Sequence, residues 1–164
     1  MDPATEVLAG VHMTGGLLVV PATWAAAVPV LLRLAGAGQL ALAAASLAIP
    51  RVLGWRAETA RLRPLTRQVF WTYAAYILAT NTAFGLVSAA RPEWLLGAAL
   101  GRAVCGFIAA WWGARLVLQL FWFDHSAAPP GARWKLADAA LTLLFAGLAL
   151  VYGAAAALGG GSAA

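Results

Sequence analysis

The chain has 164 residues, of which 63% are hydrophobic and 10% charged, and its formal net charge is +5. A mean hydropathy of +0.81 with so few charges excludes an ordinary soluble domain, where about a quarter of residues are charged. At roughly 20 apolar residues per crossing the length holds about six spans at most, so no separate soluble domain is expected, and the basic balance reads as membrane topology rather than nucleic-acid binding.

Taken in order, the chain offers five apolar segments. The first covers residues 7–32. It contains Gly15, Gly16, Pro21 and Pro29, which weaken or remove backbone hydrogen bonds and predict a kinked or locally unwound helix. Asp2 and Glu6 precede it and no Lys or Arg occurs before Arg33, so the basic start of a cleavable signal peptide is missing and the segment is expected to stay. The run Ala35-Gly36-Ala37-Gly38 reads as a turn into a short second segment, 39–53, which in an alternative count of four spans is re-entrant. Residues 51–67 are hydrophilic, with Arg51, Arg56, Arg61, Arg63 and Arg67 against Glu58.

The third segment, 68–90, and the fourth, 94–123, are joined by the tight turn Arg91-Pro92-Glu93, which predicts antiparallel neighbours. The fourth is long enough that it must tilt, or bend after Arg115. Pro129-Pro130-Gly131 breaks the helix before the fifth segment, 134–158. Residues 159–164 form a tail that is flexible by composition. The expected fold is an all-α polytopic bundle of five transmembrane helices, a single domain over 1–158.

With the arginine-rich loop placed in the cytoplasm, Arg133 and Lys135 fall on the same side and only Arg33 and Arg91 lie in outer turns, as the positive-inside rule requires. Five spans then put the N-terminus inside and the C-terminus outside. Trp55, Trp71, Trp122 and Trp134 come to the inner interface and Trp94 to the outer one, where amphipathic indoles settle. The bias of Arg over Lys and the small loops suggest a bacterial cytoplasmic membrane. No internal repeat and no inverted pair of broken segments occurs, which counts against a transporter.

Small residues recur every four positions on the fourth segment at Gly97, Gly101, Cys105, Ala109 and Gly113, and on the third at Ala75, Ala79 and Ala83. Such stripes let helices approach closely, within the bundle or against another subunit. The lone Cys105 forms neither a disulfide nor a thiolate cage and reads as a packing residue. Arg102 lies about 12 Å along its helix from the outer end. Asn81 and Thr23 fall at similar depths, and the three together would make a site for a lipid phosphate or carboxylate; the plainer reading lets Arg102 snorkel or pair with Glu93.

A second polar group gathers towards the inner boundary: His12, Gln68, Arg115, Gln119, Asp124, His125, Lys135 and Asp138. Histidine as base or ligand, aspartate as orienting group and Arg115 as anion clamp are chemically capable of a site. Many are polar only because water is near. No cofactor is expected: His12 and His125 could offer axial ligands to haem, but His125 adjoins Asp124 at a helix end and no CxxCH is present. HExxH, GxSxG, phosphate loops and paired aspartates are missing too, so neither catalytic residues nor a metal site is expected. The preferred function is a small non-catalytic subunit or accessory protein of a larger membrane complex, in contact with lipids and with other subunits or copies of itself. A lipid-, isoprenoid- or quinone-binding protein or enzyme with a polar pocket is the alternative, and a small transporter or channel component the third.

Overall fold

A computed structural model describes residues 12–14, 17–19, 22–97, 99–123 and 131–158, and the side chains from residue 26 onwards except those of 98 and 133. The architecture is helical. After a brief antiparallel pairing of β1 (His12–Thr14) with β2 (Leu17–Val19) come α1 (Ala22–Ser46), the short α2 (Ile49–Val52) and α3 (Trp55–Ala60), α4 (Pro64–Ala90), a 3-10 turn (Pro92–Leu95), α5 (Ala99–Phe121) and α6 (Ala132–Leu158). The four long helices have 25, 27, 23 and 27 residues, and at about 1.5 Å per residue each exceeds the roughly 30 Å of a bilayer core.

Among the described residues, three stretches are both long and apolar enough to cross a membrane: Ala26–Val52, Ala99–Phe121 and Trp134–Leu158. Helix α4 has the length but not the uniform apolarity, because Tyr73, Tyr76, Thr80, Asn81 and Thr82 interrupt it. The two crossings expected in the first third are not confirmed among the described residues. The expected turn at Ala35-Gly36-Ala37-Gly38 is absent and α1 runs through it and through Pro29. Residues 12–19 hold the β1–β2 pairing where a helix was expected, with His12 opposite Val19 and Thr14 opposite Leu17. The glycines read as a helix break are instead used for contact, as described below.

Local chemistry explains the boundaries. Gly54 adopts φ 62°, a left-handed conformation that separates α2 from α3 and that glycine reaches without steric cost. Pro64 stands in the first turn of α4, after Arg63 in an extended conformation, where its missing N–H costs no helical bond. Pro92 ends α4 by excluding the preceding residue from helical geometry, and Arg91 accordingly has φ −140° and ψ 57°.

The chain divides into two compact units, Arg33–Arg91 and the combination of Met1–Leu32 with Pro92–Ala164, with the boundary inside α1. In the second of these, α5 and α6 pack along their length and run antiparallel, since Arg102 meets Ala156 and Gln119 meets Asp138. Its core comprises Cys105, Ile108 and Trp112 from α5 with Phe145, Leu148, Tyr152 and Ala155 from α6, all 2% exposed or less. The spacing of three and four residues on both helices is that of interlocking antiparallel seams.

In the Arg33–Arg91 unit the contact between α1 and α4 is made by backbone. A Cβ at Gly36 would lie 2.5 Å from the Ala89 nitrogen and 2.8 Å from the Gly85 oxygen, and one at Gly85 would lie 2.9 Å from Leu40 Cγ. Gln39 and Ser88 are fully buried beside this crossing. At its other end, Trp55 of α3 meets Phe70 and Trp71 of α4 edge to face, at 5.1 and 6.1 Å between ring centroids.

Candidate functional site

The polar and aromatic centre of the α5–α6 pair is the most developed site. Trp112, Arg115 and Gln119 lie at positions i, i+3 and i+7 of α5 and so share one face. Gln119 Nε2 donates to Asp138 Oδ1 at 2.5 Å, and the Thr142 hydroxyl donates to the Asp138 carbonyl at 2.9 Å. The half-buried Arg115 guanidinium lies over two rings, 4.9 Å from the Phe123 centroid and 5.1 Å from that of Phe145. Trp112 stacks on Phe145 at 5.4 Å and 23°.

This arrangement satisfies the cation through ring faces, an attraction that strengthens where water is scarce. Two donors remain over: Arg115 Nη1 and Trp112 Nε1 are buried and have no hydrogen-bond partner among the described residues. A buried donor without an acceptor costs about 1–3 kcal/mol, so the face is chemically suited to an acceptor such as a carbonyl, ester or phosphate oxygen. Sequence reasoning identified Arg115, Gln119 and Asp138 and missed Trp112, Phe123 and Phe145. The i, i+3, i+7 spacing of Trp112, Arg115 and Gln119 was the available signal.

Arg102 has a different partner from those expected. It is exposed, and its Nε donates to the Ala156 carbonyl at 3.2 Å. Ala156 is within the last turn of α6, whose carbonyls have no helical donor, so the arginine caps that helix end and complements its dipole. Asn81 is half-buried on α4 and belongs to the other compact unit. Thr23 lies in the first turn of α1, where side chains are not described. His12 is the first residue of β1, with its side chain likewise outside the described set. His125 and Asp124 also fall outside the described residues, so the haem arrangement has no geometry to report. Among the described residues, no group of His, Cys, Asp and Glu could hold a metal ion.

The small-residue stripe on α5 is not one continuous face. Gly97 precedes the helix with φ 84°, a conformation for which glycine is suited, and so belongs to the turn. Gly101 packs against its own chain: a Cβ there would lie 2.8 Å from the Trp94 oxygen and 2.9 Å from the Leu95 carbonyl carbon. Cys105 is fully buried, its thiol 3.6 Å from the Leu95 oxygen. Ala109 and Gly113 are half-buried, and a Cβ at Gly113 would meet nothing within 4 Å. On α4, Ala75, Ala79 and Ala83 are exposed, and the buried face carries Gly85 and Ser88 instead.

Comparison of the chain with protein-family models, curated proteins and solved structures finds no match.

Proposed function

We propose that the protein is an integral membrane protein that serves as a non-catalytic subunit or accessory protein of a larger membrane complex. The supporting observation is the outward surface of the α5–α6 pair. Leu100, Phe107 and Phe121 on α5, and Leu136, Leu143 and Leu150 on α6, are exposed large apolar residues spaced by multiples of seven. Among them stand Gly113, Gly147 and Gly153, at each of which a side chain would meet nothing within 4 Å. An apolar helix surface with unfilled glycine positions suits lipid tails and the close approach of a further helix.

The membrane in this reading is a bacterial cytoplasmic one. Residues 51–67 face the cytoplasm, and with α1 as one crossing and α4 as a fourth span the N-terminus and C-terminus both lie outside. That arrangement replaces the cytoplasmic N-terminus expected from five spans. It keeps Trp122 and Trp134 together at the inner end of the α5–α6 pair and Trp94 at its outer end.

Gentle extraction followed by native mass spectrometry tests the subunit reading. A stoichiometric protein partner is expected, and Gly113→Leu or Gly147→Leu is expected to release it without unfolding the chain. A chain that is alone in every preparation overturns the reading. A second reading, binding of an acceptor-bearing lipid or quinone, draws on the two buried donors Arg115 Nη1 and Trp112 Nε1. It expects a copurifying small molecule that is lost in Arg115→Gln.

A further inference from the structure

The five arginines of residues 51–67 face a single acid, Glu58. Arg61 takes it, with Nη1 and Oε2 3.9 Å apart and both side chains largely exposed. Arg56 and Arg67 have no ion-pair partner among the described residues. They come together from two elements: Arg56 of α3 and Arg67 of α4 line one open concavity of about 260 Å³ with Thr59 and Trp71.

The wall of this concavity is braced. Thr59 Oγ1 donates to the Trp55 carbonyl at 2.6 Å and accepts from Trp71 Nε1 at 3.3 Å, while Trp55, Phe70 and Trp71 form a mutually edge-on aromatic cluster. In the flanking sequence Val52, Leu53, Leu62 and Leu65 are exposed, by 40% to 71%. Charge, indoles and apolar side chains thus meet within one short region that links two long helices.

We infer that this concavity binds the phosphate of an anionic phospholipid, held by the guanidinium groups of Arg56 and Arg67. Planar guanidinium forks match phosphate oxygens in bidentate fashion. Indoles settle at the depth of lipid headgroups. The exposed leucines and Val52 give acyl chains a surface that a free phosphate ion does not use. The inference goes beyond the proposed partner binding and rests only on the membrane embedding of that reading.

The test uses the full chain in detergent and native mass spectrometry, with phosphatidylglycerol, phosphatidylcholine and inorganic phosphate as separate probes. Phosphatidylglycerol is expected to bind about 25-fold more tightly than phosphatidylcholine, in line with about fivefold for each of the two arginines at an anionic surface. Arg56→Gln with Arg67→Gln abolishes that preference, and Arg56→Lys with Arg67→Lys retains part of it because charge remains while the fork is lost. Arg61→Gln with Arg63→Gln, which removes the same charge outside the concavity, retains most of it. Equal losses in the two glutamine pairs, or no preference in the unaltered chain, overturn the site. Displacement of the lipid by millimolar inorganic phosphate also overturns it, by revealing a free-anion site. Carbonate washing of native membranes separates the two readings: release of the chain removes the embedding and this site together, whereas retention without lipid preference removes the site alone.

Discussion

The two compact units hold their helices together by opposite means. Between α5 and α6 large side chains interlock, with Trp112 stacked on Phe145 and Tyr152 fully buried. Between α1 and α4 side chains are withdrawn, and Gly36 faces the backbone of Gly85 and Ala89. The difference teaches what drives association in an apolar medium. Burying apolar area adds little when lipid is as apolar as leucine, so van der Waals fit and polar bonds must do the work. Interlocked rings give that fit over a wide seam, and glycines give it by closeness at one crossing. The wide seam also tolerates polar groups, and Arg115, Gln119 and Asp138 all lie on it.

The sharpest way to break the comparison is Gly36→Leu. The first added carbon would sit 2.5 Å from the Ala89 nitrogen, a contact with backbone that no rotamer relieves, so a loss of about 3 kcal/mol or more is expected. Thermal unfolding in detergent by circular dichroism measures it, and an unchanged midpoint would show that α1 and α4 do not rely on closeness. Next comes Trp112→Ala, expected to cost about 3–5 kcal/mol by loss of the stacked ring. Trp112→Phe keeps a ring on Phe145 and removes the unpartnered indole N–H, so it should cost less than half as much; equal losses in the two variants would deny the stacking its part.

Asp138→Leu leaves the Gln119 amide without its acceptor and is expected to cost about 1–3 kcal/mol. Asp138→Asn keeps a carbonyl oxygen there and should stay within about 1 kcal/mol of the unaltered chain in the same melting experiment. Arg102→Met removes the cap on α6 and is expected to cost no more than about 1 kcal/mol. A useful readout is faster hydrogen exchange confined to the last turn of that helix. The smallest effect belongs to Gly113→Ala. Open space surrounds the position, and alanine is the better helix former by roughly 1 kcal/mol, so stability should hold or rise slightly.

Much of this was legible in one dimension. The apolar stretches at 94–123 and 134–158 were read within a few residues of α5 and α6, because proline and glycine punctuate their ends and no competing pattern interrupts them. The first third was misread for a specific reason. Gly36 and Gly38 look the same in sequence whether they break a helix or admit a neighbour, and only the presence of Gly85 and Ala89 across the crossing distinguishes the two. The stripe on α5 misled in the same way, since Gly97 and Gly101 serve the turn at Pro92–Leu95 rather than a second helix. Arg102 was singled out by its depth in the fourth segment, yet its side chain is exposed. Its partner is a carbonyl at the end of α6, 54 positions away, which no local spacing reveals.

Composition and hydropathy by themselves determined that the protein is helical and apolar enough for a membrane, because a backbone in lipid must satisfy its hydrogen bonds within each helix and side chains must match the solvent. They determined too that the basic charge concentrates in residues 51–67. Tertiary structure alone decided which small residues touch backbone, which arginine caps a helix and which lies between rings, and that Arg56 and Arg67 line one concavity. Those outcomes depend on distances between segments remote in the chain, and the energy of a close contact changes within a fraction of an ångström.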